Sequence, residues 1–140
     1  MTVLSPVAAI VCGVVLIAVI GIAYGGTFLL QVVGGGFAFT DFQKAFFRAG
    51  HAHAGVLVTL GLVVVLLLEA AGASGPWALL GYGVLASAIL VPGGFFAAAG
   101  GHERTRPNRF VWLLWVGVAA LVVGLVGAAV ALIQVGVAGA

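Results

Sequence analysis

The sequence predicts an all-α polytopic membrane protein, a single domain of four transmembrane helices running up-down-up-down. Three observations lead there. Of the 140 residues, 64% are hydrophobic and only 6% charged, whereas a soluble domain carries about a quarter charged residues. So little charge cannot cover a surface facing water. The mean hydropathy is +1.37. The apolar residues also gather into four runs, each long enough for the roughly 20 residues that a spanning helix needs.

The expected spans are residues 6–33, 41–70, 77–99 and 110–135. The opening stretch, MTVLSPVAAIVCGVVLIAVIGIAYGG, has no basic head, and its apolar part exceeds the ~7–15 residues of a secretory leader's core. It reads as a retained first span, with Pro6 suited to a first helical turn. Cys12, the single cysteine, leaves no internal disulfide and reads as a small buried hydrophobe. Gly21 and Gly25 stand at GxxxG spacing, which suits close helix packing in lipid.

The second helix starts ahead of its apolar part. Thr40 to Gln43, TDFQ, has the form of a capping box. A helix over 41–70 would be about 45 Å long. Its first turns would place Lys44, Arg48, Phe42, Phe46 and Phe47 among the lipid headgroups, where basic side chains snorkel and rings anchor. Glu69 ends it at the opposite surface and reads as solvated.

The third span follows the turn GASGP, with Trp77 as an interface anchor and Gly83 and Ser87 as packing positions. Within it, LVPGGFF holds Pro92, Gly93 and Gly94. Proline lacks the N–H and crowds the preceding turn, so an interruption is expected, either as a packing kink or as a gap through which a ligand reaches the backbone. The fourth span follows RPNR. It carries Trp112 and Trp115 as anchors, and Ala120, Gly124 and Ala128 at i+4 steps with Gly117 and Gly127 nearby.

Charge sets the expected orientation. Lys44 and Arg48 belong to the first connection and Arg104, Arg106 and Arg109 to the third. The second connection and both ends of the chain have no basic residue. The positive-inside rule then puts loops 34–45 and 100–109 in the cytoplasm and both termini outside. Abundant Ala, Gly and Val, with Arg preferred to Lys, suit a GC-rich bacterial genome, so the expected membrane is the bacterial inner membrane. Five basic residues and a net charge of +2 are too few for a nucleic-acid partner.

No Ser–His–Asp order, carboxylate pair or CxxC is present, and no catalytic residue is assigned. Interest falls on ionisable groups at membrane depth, which are costly and usually functional. His51 and His53 sit just below Arg48 along the helix. At i, i+2 they point about 200° apart, so a regular helix cannot aim both at one ion. One is expected to face the bundle beside Leu57 and Leu60, the other the loop side or a neighbouring subunit. His102 lies on the same membrane side, and one of the pair with His102 and Glu103 makes a candidate metal set. Arg48 either neutralises a propionate or another anion, or simply snorkels. The imidazoles otherwise handle protons, or sit neutral at the helix mouth, bonded to carbonyls.

The stretch RAGHAHAGVLVTLGLVVVLLLE, from Arg48 to Glu69, resembles the histidine-bearing second helix of haem–copper oxidase subunit I. It is more closely similar to small four-helix bacterial membrane proteins of unassigned activity, in which His-x-His opens helix two and an acidic residue closes it. The oxidase resemblance implies an axial haem ligand at His51 or His53 and a propionate contact at Arg48. The second axial ligand would come from His102 or a second subunit. The cofactor is thus open between haem b and a transition metal. Three functions fit the chain: a haem- or metal-binding bundle, a non-catalytic accessory or assembly subunit of a larger membrane complex, and a small oligomeric channel or transporter. The lipid bilayer is the one partner common to all three.

Overall fold

A computed structural model describes residues 3–139. It contains five helices and, among the described residues, no strand: α1 (Pro6–Val33), α2 (Asp41–Ala70), α3 (Gly75–Gly81), α4 (Gly83–Ala99) and α5 (Val111–Ala138). Helices α3 and α4 form one span, so four segments are long and apolar enough to cross a membrane: Pro6–Val33, Asp41–Ala70, Gly75–Ala99 and Val111–Ala138. The expected all-α four-helix membrane bundle is the observed fold.

The first two spans begin and end where the sequence places them. The third differs. The helix runs unbroken through Pro92, and its one interruption falls at Tyr82, whose N–H bonds Leu79 one residue early, at 3.2 Å. Tyr82 keeps helical dihedrals, so the turn tightens and the path continues. Packing explains the shift. Glycines flank Tyr82: a Cβ on Gly81 would lie 2.6 Å from Leu68, and one on Gly83 would lie 2.8 Å from the Ala120 carbonyl. The Pro-Gly-Gly segment leaves no gap for a ligand, because α5 fills it. A Cβ on Gly94 would fall 2.4 Å from the Leu114 amide.

The core lies between α2, α4 and α5. Gly117 and Gly124 of α5 press against Val91 and Val84 of α4, where an added Cβ would fall within 2.7 Å of the neighbouring backbone. Gly61 of α2 accepts the side chain of Leu85 in the same way. Ala128 and Ala131 join Val64, Leu68 and Val84 in one buried cluster. Small residues at such crossings allow the close backbone approach that dispersion requires in lipid.

Helix α1 is peripheral. Its backbone comes close to α2 alone, and only Ala8, Cys12 and Val32 are buried along it. Cys12 is thus the buried hydrophobe that its setting suggests. Gly13 and Gly21 meet nothing, so the GxxxG pair does not act as a packing stripe within the chain. Besides the packing of Ala8 and Cys12 on Val65 and of Val32 on Phe47, two polar side chains of α2 meet the helix. At its start, Ser5 donates its backbone N–H (2.6 Å) and its hydroxyl (3.1 Å) to the Glu69 carboxylate at the end of α2. The same hydroxyl caps α1 by accepting the Ala8 N–H. Glu69 is therefore an interhelical tie as well as a surface acid. The second side chain is His51, at the far end.

Candidate functional site

The histidine end is built around the start of α2. Thr40 and Gln43 form the reciprocal capping box. Gln43 also reaches across the bundle: its Nε2 donates to the carbonyls of Ala99 (3.0 Å) and Gly101 (2.8 Å). Asn108 takes the neighbouring ones, bonding Ala97 and Gly100 through its amide and Ala98 through its backbone N–H. The last carbonyls of a helix have no partner within it. Here α2 and the 100–110 loop supply those partners for α4, and the loop is fixed to the bundle. The Thr40 hydroxyl adds a bond to the Arg104 carbonyl.

Two turns further on, α2 crosses α4 at Gly50, where a Cβ would lie 3.0 Å from the Phe96 ring. This contact leaves His51 and His53 on opposite sides of the crossing. His51 turns to α1 and lies half-buried over Gly25 and Gly26. Cβ atoms built there would stand 3.6 Å from its Nδ1 and 3.7 Å from its Nε2. His53 turns the other way. It is exposed, its ring 5.1 Å from that of Phe95, and its Nδ1 lies 2.7 Å from the Ala49 carbonyl. The expected divergence of the pair is therefore present, with glycine on one side and an aromatic ring on the other.

On the loop side of the histidines lies an aromatic plug. Phe28 of α1 meets Phe37 and Phe39 of the first loop and Phe47 of α2, and Phe47 stacks on Phe96. Phe46 meets Phe95 edge-on. Sequence reading marks Phe42, Phe46 and Phe47 as interface anchors. That they join rings from α1, the loop and α4 depends on helix order, which no local pattern carries.

The remaining candidates lie apart. His102 and Glu103 are in the loop, 3.8 Å from each other, with side chains 90% and 74% exposed. Arg48 is exposed on α2, about 60° around the helix from His51 and 140° from His53. Among the described residues, no three of His, Cys, Asp and Glu stand close enough together to hold a metal ion. The structure thus pairs His102 with Glu103 and brings neither α2 histidine into a three-ligand group with them. One further hollow, an apolar cleft of about 280 Å³, opens between α1 and α4 over Val58. Compared with known protein families, characterised proteins and solved structures, the chain has no match in any of the three.

Proposed function

We propose that this small integral membrane protein binds an iron porphyrin or a transition-metal ion through His53. One observation carries the reading. The Ala49 carbonyl 2.7 Å from His53 Nδ1 can only accept a hydrogen bond, so Nδ1 holds the ring proton. In the neutral imidazole the lone pair is then on Nε2, on the exposed side. A backbone carbonyl on the other nitrogen is the arrangement that orients metal-bound histidines and raises their basicity. Ala52 and Val56 line an open hollow of about 140 Å³ beside the ring, which takes an ion or the edge of a larger group.

His53 supplies one nitrogen. His51 points to α1, and His102 and Glu103 sit in the loop, so a second donor would come from outside this chain, such as a second copy. Arg48, exposed and with no guanidinium partner among the described residues, suits a propionate or a similar anion. An iron porphyrin held there would supply one-electron chemistry or gas binding. The orientation proposed with this site is the positive-inside one in a bacterial inner membrane, with loops 34–45 and 100–109 in the cytoplasm and both termini outside.

The test is the absorption spectrum of gently purified protein, with metal analysis on the same sample. A Soret band or stoichiometric metal is expected, lost in His53→Ala and retained in His51→Ala. Protein that is colourless and metal-free removes the reading. A second reading, an accessory subunit of a larger membrane complex, is favoured by α1. Nearly all of its surface faces outward, with Gly13 and Gly21 open.

A further inference from the structure

The loop end carries five cationic side chains, Lys44, Arg48, Arg104, Arg106 and Arg109, against two carboxylates, Asp41 and Glu103. Both carboxylates are engaged, Asp41 with Lys44 at 3.9 Å and Glu103 with His102 at 3.8 Å. Among the described residues, no arginine has a carboxylate within ion-pair reach. Arg104 donates its Nε to the Gly100 carbonyl, and Arg109 lies over the Phe110 ring at 5.2 Å. Arg106 is exposed and, among the described residues, has no hydrogen-bond or ion-pair partner.

These groups do not sit on a loose connector. Gln43, Thr40 and Asn108 fix the loop, as described above. Gly101 (φ 121°) and Glu103 (φ 44°) bend it through left-handed dihedrals. The result is a polar hollow of about 230 Å³ lined by His102, Glu103, Arg104, Thr105 and Arg106. Exposed Trp112 and Trp115, on the first turns of α5, mark the same level as the membrane interface. The positive-inside rule explains cations on this side, but it asks for neither arginine nor a preformed hollow. A guanidinium fork matches phosphate oxygens in pairs, and the headgroup layer supplies phosphate at this depth.

We infer that the 102–106 hollow is a binding site for the phosphate of an anionic membrane lipid. Arg104 and Arg106 hold the phosphate and the Thr105 hydroxyl donates to it. The arginines lacking a carboxylate partner obtain their counter-charge from the bilayer, and the fixed loop lowers the ordering cost of binding.

The experiment is native mass spectrometry of the protein equilibrated with mixed phosphatidylglycerol and phosphatidylcholine vesicles. Preferential retention of phosphatidylglycerol is expected. Arg106→Gln lowers it about fivefold, the usual weight of one basic residue near an anionic surface. Arg106→Lys falls between, because it keeps the charge and loses the fork. Lys44 does not line the hollow and already pairs with Asp41, so Lys44→Gln lowers retention less than Arg106→Gln does. Three outcomes overturn the site: equal retention of both lipids, equal loss in Arg106→Gln and Lys44→Gln, or displacement by inorganic phosphate at matched concentration. Arg106 is exposed and has no bond among the described residues, so a folded variant is expected, and helicity by circular dichroism checks it.

Discussion

Gln43 shows how much one side chain can do at the end of a bundle. It is 1% exposed, yet both ends of its amide are satisfied. Oε1 accepts the Thr40 N–H at 3.2 Å, and Nε2 serves the two carbonyls of the α4 terminus and its loop. Leucine would fill a similar volume and strand those carbonyls. Each unsatisfied buried group costs about 1–3 kcal/mol, so Gln43→Leu should lower the thermal midpoint of the purified protein by several degrees. Helical content should stay unchanged. Half of this role is legible in the sequence, because the capping box spans four residues. The other half joins residues 56 and 58 positions apart, beyond the reach of any local pattern. The same limit applies to the histidines: their spacing predicts that they diverge, and only helix order says that glycine awaits one and Phe95 the other.

Glycine has two different uses among the helices, and the sequence pattern does not separate them. The α5 stripe of Ala120, Gly124 and Ala128 is packed as its i+4 spacing suggests. The α1 glycines at comparable spacing face outward at Gly13 and Gly21, because α1 lies on only one neighbour. Periodicity identifies a face and does not say whether another helix covers it. Substitution should separate the two uses. Gly94→Ala forces a Cβ into the Leu114 backbone and should cost about 1–3 kcal/mol as overpacking. Gly13→Ala meets open space and should be neutral, or stabilising by up to about 1 kcal/mol through helix propensity. Unfolding of the two variants in mixed micelles checks the contrast. Pro92 belongs to the same lesson: its chemistry predicts an interruption, yet the helix continues through it, and Gly94 beside it lets α5 press close.

For the molecule as a whole, composition decided the most. The four spans and the crowding of charge at one end were legible from hydropathy and residue counts alone, because lipid imposes length and satisfied backbones on any spanning helix. The arrangement of the candidate site is less legible. The candidate metal set drew on four residues from two elements, and their arrangement depends on where the third connection folds back. The proposed orientation makes a clear prediction. A cysteine at Ala73, between α2 and α3, should react with an impermeant maleimide added to intact cells. One at Thr105 should react only after the membrane is opened, with the native Cys12 replaced by alanine in both. The opposite pattern would invert the assignment of the two faces.

Helix α1 is clasped near its two ends, by the Ser5–Glu69 bonds and by His51 over Gly25 and Gly26, with about 30 Å of helix between them. The apolar cleft lies along that stretch, where α1 rests on α2 through Ala8 and Cys12 against Val65 and its backbone does not come close to α4. Drawing α1 away from the bundle would therefore give up chiefly its contacts with α2 and leave the α2–α4–α5 core whole.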